Sequence, residues 1–246
     1  MANWQDPQTT GVNAATVSVP RAVRDAGLRS YMLSVYNYMA SGVLLTGIIA
    51  LLFAPYAGQV LVSPTGRGMS GLGWIVTLSP LAIVFAMSFG MNRMRTATLQ
   101  LLFWAFAALM GLSMSTLFLV YTGVSIGQTF FATAAAYAGL SLWGYTTKRD
   151  LSGIGTFLIM GVVGLLVAML INMFMRSSAM ALAISAIGVL LFAGLTAYDT
   201  QRIKSMYAYV QGTEMAGKTV IMGALQLYLD FINMFQFLLS FMGDRR

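Results

Sequence analysis

The chain contains neither cysteine nor histidine among its 246 residues. The absence of cysteine excludes disulfides, thiol catalysis, iron–sulfur centres and thiolate zinc sites. The absence of histidine excludes serine–histidine catalysis, imidazole metal ligation and the side chain that most often titrates near neutral pH. Any response to pH near neutrality must therefore depend mainly on the acidic side chains, of which the chain has seven.

Charge is also scarce, because 9% of the residues are charged whereas 58% are hydrophobic. A soluble domain is about one quarter charged. This composition predicts an all-α polytopic membrane protein whose main partner is the lipid bilayer. The net charge of +7 is typical of basic loops at a cytoplasmic membrane face. Nucleic-acid binding is not expected, since no basic stretch is interleaved with aromatic residues.

Seven apolar stretches have about the 20 residues that a helix needs to cross a bilayer. They are residues 31–54, 74–91, 97–121, 128–146, 154–175, 179–198 and 219–242. A loop rich in proline and glycine is expected from Pro55 to Gly73. Residues 1–30 are polar and are predicted to form a disordered tail with an interfacial lead-in, which precedes a seven-helix domain over residues 31–246.

The distribution of Lys and Arg predicts the orientation, because basic residues concentrate in cytoplasmic loops. With the N-terminus inside, ten basic residues lie in cytoplasmic segments: Arg21, Arg24, Arg29, Arg93, Arg95, Lys148, Arg149, Arg202, Lys204 and Lys218. Four lie outside: Arg67, Arg176, Arg245 and Arg246. The N-terminus is therefore predicted to be cytoplasmic and the C-terminus outside, unless the last apolar stretch is re-entrant.

The last apolar stretch carries an acid, Asp230, near its middle. A carboxylate at bilayer depth costs about 2.5–3.5 kcal/mol on insertion scales and usually marks an ion or proton path. The residues that share its helical face are small or polar: Thr219, Gly223, Gln226, Asn233 and Ser240. Gln226 and Asn233 are thus candidate supporting residues.

A second acid, Asp199, lies at the end of the preceding apolar stretch. It is interpreted either as an interfacial acid that pairs with Arg202 at i+3 or as the partner of Asp230. Arg93, which closes the second stretch, is either a positive-inside anchor or a charged partner of the two acids.

Four short motifs resemble signatures of the transmembrane Bax-inhibitor motif family. Residues 198–204 read Tyr-Asp-Thr-Gln-Arg-Ile-Lys, and residues 227–233 read Leu-Tyr-Leu-Asp-Phe-Ile-Asn. Residues 110–113 read Met-Gly-Leu-Ser, and residues 147–152 read Thr-Lys-Arg-Asp-Leu-Ser. The first two motifs together are fairly specific, and the similarity to a bacterial member runs from residue 31 to the C-terminus.

The resemblance implies seven transmembrane helices, of which six surround a central seventh, and a pH-sensitive calcium leak in a bacterial inner membrane. It implies that Asp199 and Asp230 form a hydrogen-bonded pair that controls the pore and that Arg93 pairs with them. No cofactor and no enzymatic activity are expected, and Ca²⁺ and protons are the expected partners.

The chemistry of two close carboxyl groups is consistent with such a gate. Two carboxylates in a site of low dielectric titrate as a unit. With one shared proton they hold a compact contact, whereas with both ionised they repel and offer oxygen ligands suited to Ca²⁺. Asn233, backbone carbonyls and water would have to complete the coordination shell.

Two other functions remain open. The chain could be a membrane regulatory protein that acts through contacts with partner proteins and conducts no ions. It could also be an intramembrane aspartyl protease, which would use two membrane acids.

Overall fold

The computed structural model describes residues 21–64 and 68–246, and for residues 21–24 the backbone alone. The residues described form eight α-helices and two isolated β-bridges. The helices are α1 (Arg21–Val60), α2 (Gly71–Gly90), α3 (Thr96–Met114), α4 (Leu117–Val120), α5 (Gly123–Thr146), α6 (Ser152–Met175), α7 (Ser178–Val210) and α8 (Met215–Met242). The predicted all-helical fold is confirmed, whereas the predicted tail at residues 1–20 and Arg67 lie outside the described residues.

Six helical segments of the described chain are long and apolar enough to cross a membrane. They are Asp25–Val60, Gly71–Gly90, Thr96–Val120, Ser152–Met175, Ser178–Val210 and Met215–Met242. The sequence predicted seven, and the difference is α5. Its 24 residues suffice in length, but the helix carries a row of hydroxyl side chains on its buried face, which lowers its hydropathy: Ser125, Thr129, Thr133, Tyr137 and Ser141.

The most buried of the six candidate spans is α8. It packs against α1, α3, α5 and α7, and its contact with α7 is the most extensive helix pair of the fold. Aromatic side chains fill the space beside it, since the Tyr228 ring meets Phe106 at 5.0 Å and Phe103 at 6.4 Å, both edge to face. Of the polar stripe predicted around Asp230, Thr219, Gly223 and Asp230 are buried, whereas Ser240 at its end is exposed.

Two helices extend beyond their predicted ends. The first continues through Pro55 to Val60, where a loop was expected. A proline is tolerated in a membrane helix because neighbouring groups can satisfy the freed carbonyl. Helix α7, which corresponds to the sixth predicted stretch, continues twelve residues past Tyr198 to Val210. Asp199, Arg202 and Lys204 therefore lie within a helix and not in a loop. The predicted membrane span ended where the apolar run ends, but polar residues can continue a helix beyond an apolar run.

The third predicted segment is interrupted. A turn at Ser115 and Thr116 separates α3 from the four-residue α4. Ser115 Oγ donates a hydrogen bond to the Leu112 carbonyl at 2.6 Å, and Thr116 Oγ1 donates one to the Ser113 carbonyl at 2.8 Å. Side chains that compete for backbone carbonyls in this way bend or end a helix.

The C-terminal residues are tied to the start of α5. Asp244 accepts a hydrogen bond from the Thr122 N–H at 3.1 Å and donates its own N–H to Ser125 Oγ at 2.9 Å. Arg246 donates its N–H to the Val120 carbonyl at 2.9 Å. The end of α8 thus lies beside the loop that follows α4.

Candidate functional site

Asp199 lies in the interior of α7 with 4% of its surface exposed. Its neighbours Thr196 and Thr200 are also buried, and each donates its hydroxyl hydrogen to the carbonyl four residues earlier, at 2.7 Å. These bonds satisfy the hydroxyl hydrogens of both threonines inside the protein. Asp199 is therefore buried in the interior of α7. The prediction that it lies at a helix end is wrong.

Asp230 lies on α8 and is equally buried. The stripe of small and polar residues to which it belongs is directed at α7. At one end of the stripe, Ser185 Oγ of α7 donates a hydrogen bond to Ser240 Oγ at 3.0 Å. Closer to the acid, the Gln226 side chain is in polar contact with Asp199.

The two acids meet because α7 and α8 form an antiparallel hairpin. A short turn joins the helices, and within it Gly212 adopts a φ of 75°, a conformation that glycine adopts without strain. At 3.6 residues per turn, Asp199 lies about three turns before the end of α7 and Asp230 about four turns after the start of α8. The two positions are therefore at similar heights in the hairpin.

The carboxyl groups of Asp199 and Asp230 lie close enough to act on each other. A hydrogen bond between two carboxyl groups requires that one of them carries a proton, because an ionised carboxylate only accepts. Asp230 Oδ2 is buried and has no hydrogen-bond partner among the described residues. An unsatisfied oxygen at this depth is costly, so Asp230 Oδ2 is a candidate acceptor for a further hydrogen bond.

The backbone packs closely beside the pair. At Gly144 of α5, a Cβ atom would collide with the backbone of Ala197, two residues before Asp199. On the other side of α8, Tyr228 and Thr46 share a hydrogen bond of 2.7 Å, and Thr46 Oγ1 also donates to the Ala107 carbonyl at 2.8 Å. The position of α8 is thus defined by α1 and α3 as well as by α7.

Arg93 is exposed in the turn between α2 and α3, where its backbone N–H donates to the Gly90 carbonyl at 2.9 Å. Within the described residues no ion pair joins Arg93 to either acid. The cation whose charge acts on Asp199 is Arg202, three residues later on α7. The alternative in which Asp199 interacts with Arg202 is therefore compatible with its contact to Asp230, and the role of Arg93 stays a prediction.

Asn233 lies one turn beyond Asp230 and donates its amide to the Leu229 carbonyl at 2.7 Å. It lines a cavity of about 450 Å³ between α6, α7 and α8. The polar residues of the cavity wall are Asn172, Ser185, Asn233, Gln236 and Ser240. The polar face of α8 thus continues past Asp230 to a mostly apolar cavity that carries a few uncharged polar groups.

Sequence reasoning missed the hydroxyl groups that surround the pair. Tyr36 of α1 and Ser141 of α5 share a hydrogen bond of 2.6 Å, and Ser141 shares another with Thr200 at 2.9 Å. Tyr137 of α5 lies near both acids. The four-residue spacing of hydroxyl side chains along α5 was the available signal, because it places them on one helical face.

The acid pair is a sparse set of metal ligands. The described part of the chain contains no cluster of three or more acidic, histidine or cysteine side chains. A calcium ion takes six to eight oxygen ligands. Two carboxylates, with Asn233 and backbone carbonyls nearby, could contact such an ion but could not enclose it.

The fold and this site define a polytopic membrane protein built from α-helices with two acids in its interior. A family model described as "Inhibitor of apoptosis-promoting Bax1" matches residues 28–246. The chain belongs to this Bax inhibitor-1 family, which confirms the resemblance that its motifs indicated.

Individual relatives cover nearly the full length. The chain is 43% identical over 223 residues to the inner membrane protein YbhL of Escherichia coli K12, across 90% of this chain and 94% of the relative. It is 46% identical over 224 residues to the uncharacterized protein RP147 of Rickettsia prowazekii, across 90% and 92%. An uncharacterized membrane protein of Streptococcus pyogenes, SpyM3_0260, is 35% identical over 220 residues, across 89% and 94%.

Proposed function

We propose that the chain is a pH-sensitive leak pathway for Ca²⁺, gated by a proton that Asp199 and Asp230 share. The observation that carries this proposal is the contact of two buried carboxyl groups on consecutive membrane helices. With the shared proton present, the contact holds α7 against α8 and blocks passage between them. Loss of the proton leaves two like charges in contact, whose repulsion separates the carboxylates.

The proposed ion is Ca²⁺, a hard cation for which the separated carboxylates offer oxygen ligands. Their small number suits passage more than storage, since conduction requires that an ion bind weakly enough to leave. Asn233 and Gln236, one to two turns beyond Asp230 on α8, add uncharged polar groups to the wall of a cavity between α6, α7 and α8.

The membrane arrangement belongs to the same proposal. We take α5 as a further spanning helix, which makes seven with α8 at the centre, and place the chain in the bacterial inner membrane with a cytoplasmic N-terminus. The hydroxyl face of α5 is buried against α7 and α8, so its low hydropathy need not expose polar groups to lipid. The unbroken α8 and the contact of Asp244 with Thr122 favour a spanning α8 over a re-entrant one.

The test is Ca²⁺ flux into liposomes that contain only the purified protein, measured from pH 5 to pH 8. Asp199→Asn and Asp230→Asn remove the titrating charge with little change in shape, so each should abolish most of the pH dependence. The double variant should add little to the larger single effect, because contacting residues are not additive. Asp244→Asn, at the exposed C-terminus, is the matched control and should retain the wild-type profile.

A wild-type pH profile in both single variants would eliminate the shared-proton gate. Absence of flux from the wild-type protein under all these conditions would instead favour the regulatory protein that acts through partner contacts. Arg93→Ala belongs in the same series, with Arg95→Ala as its control. A changed pH midpoint in Arg93→Ala alone would assign Arg93 to the gate.

A further inference from the structure

The buried face of α5 is a row of hydroxyl side chains spaced four residues apart: Ser125, Thr129, Thr133, Tyr137 and Ser141. This face packs against α7 and α8, the helices that carry the two acids. Hydroxyl groups in a membrane interior normally form hydrogen bonds, since no bulk water is present to satisfy them. The partners of each hydroxyl therefore indicate what the row does.

Most of these hydroxyls have partners within the protein. Ser125 accepts a hydrogen bond from the Asp244 N–H, and Thr133 donates one to the Thr129 carbonyl at 2.8 Å. Ser141 is bonded to Tyr36 and Thr200. The hydroxyls of Thr129 and Tyr137 are buried and have no partner within the described residues.

Tyr137 is held close to the acid pair. Its ring packs edge to face against Phe231, the residue after Asp230, with 5.5 Å between the ring centroids. Three groups act electrostatically on its hydroxyl: Asp230 of α8, Asp199 of α7 and Tyr36 of α1. Arg202 acts on the pair from the side of Asp199.

Two unsatisfied polar groups therefore share one buried region. Tyr137 offers an O–H donor without an acceptor, and Asp230 Oδ2 is an acceptor without a donor. An ionised carboxylate accepts only, and a hydrogen bond to a charged group is stronger than one between neutral groups. The two groups are thus complementary when the pair is ionised.

We propose that Tyr137 donates a hydrogen bond to Asp230 Oδ2, directly or through one water molecule, when the acid pair loses its shared proton. Tyr137 is then a positioning residue that determines the pH at which the pair ionises. Its physiological meaning rests on the proposed leak function, but the hydrogen bond itself can be tested without any ion flux.

The test follows the infrared carbonyl band of the protonated carboxyl group in purified protein, from pH 4 to pH 9. Asp199→Asn and Asp230→Asn assign the band to the pair. Tyr137→Phe removes the donor and leaves the ring in place, so the ionised state loses stabilisation and the midpoint of the band should rise by about one pH unit. Tyr31→Phe is the control, because its hydroxyl is likewise buried without a partner within the described residues but neither acid acts on it, and its midpoint should stay close to wild type.

A second variant is expected to shift the midpoint of the band in the opposite direction. Incorporation of 3-fluorotyrosine at position 137 retains the ring and the hydroxyl but makes the phenol more acidic and a stronger donor, so the midpoint should fall below that of wild type. This variant also guards against a folding defect in Tyr137→Phe, because it preserves the shape of the side chain.

An unchanged midpoint in both position-137 variants would overturn the proposal. Flux in liposomes distinguishes the two hypotheses of this site. A shifted infrared midpoint in a protein that passes no Ca²⁺ would retain the Tyr137 contact and refute the leak. A leak together with a wild-type infrared midpoint in both position-137 variants would retain the leak and refute the role of Tyr137.

Discussion

Helices α6 and α8 are both long enough to cross a membrane, yet they occupy opposite environments. In the most apolar window of α8, 61% of the residues are buried inside the protein, against 17% for α6. Of the six candidate spans α6 is the most apolar and α8 the least. The helix with the more polar sequence is therefore the one enclosed by protein.

This order follows from the solvent. In water, polarity directs a side chain outwards, whereas lipid offers no partners to a polar group, so acids and amides of a membrane helix face other helices. The exposed residues of α6 are large and apolar, such as Phe157 and Phe174. Such side chains can contact lipid tails without losing a hydrogen bond. The polar stripe of α8 needs α7 beside it.

The largest expected effect is a difference in packing between the two helices. Leu227 on α8 is fully buried, whereas Leu170 on α6 is 60% exposed. Leu227→Ala leaves a cavity that neighbouring helices cannot fill, so it should cost at least about 2 kcal/mol of unfolding free energy. Leu170→Ala, the matched control, exchanges lipid contacts only and should cost about 0.5 kcal/mol or less.

Denaturant unfolding of both variants in the same detergent measures this difference. Equal losses would mean that α6 is covered in solution, by a second copy of the chain or by another part of it. The contrast between an enclosed α8 and a lipid-facing α6 would then be wrong.

The sequence was sufficient to identify α8 and Asp230, because an acid inside a long apolar stretch is a strong signal. It was not sufficient to identify the environment of Asp199. The predicted span ended at residue 198, where the apolar run stops, but α7 continues to Val210. Only this extension brings Asp199 to the height of Asp230 within the hairpin.

The surroundings of the pair could not be predicted for a different reason. Tyr137 is one of eleven tyrosines, and nothing in its local sequence indicates that α5 packs across α7 and α8. Long-range packing brings its hydroxyl to the acids. Arg93, which closes the second predicted stretch, is exposed in a turn, and its role as an anchor or as a partner of the acids stays a prediction.

The next effect extends the comparison to α5, whose buried face is a row of hydroxyl side chains that ends at Gly144. Gly144 lies against the Ala197 backbone of α7, whereas Gly164 on α6 has open space around its Cα. Gly144→Ala forces α5 away from α7 and should cost about 1–3 kcal/mol, because the backbone it meets cannot rotate away. Gly164→Ala should be neutral or stabilising by up to about 1 kcal/mol, since alanine favours a helix.

Thermal unfolding of the two glycine variants at pH 7 gives the comparison. A Gly144→Ala protein as stable as wild type would show that α5 and α7 are not held in close contact. The interior would then be looser around Asp199 than around Asp230.

The smallest effect is expected in the loop that leads into α6, outside the membrane spans. Asp150 is exposed and accepts hydrogen bonds from the Ser152 hydroxyl and from the Ser152 N–H at 2.9 Å, and these bonds lower its pKa below the ordinary value. A carboxyl whose pKa is lower in the folded state stabilises the fold above its unfolded pKa, and this contribution is lost as pH falls through the folded pKa. Asp150→Asn should therefore destabilise the protein slightly at pH 7 and less at pH 3, as measured by the unfolding temperature of purified protein at both pH values. Ser152→Ala removes the hydroxyl and keeps the N–H, so it should show part of the same pH dependence. A difference from wild type that is the same at both pH values would exclude the charge of Asp150 as its cause, and would mean that the start of α6 depends on the shape of this loop alone.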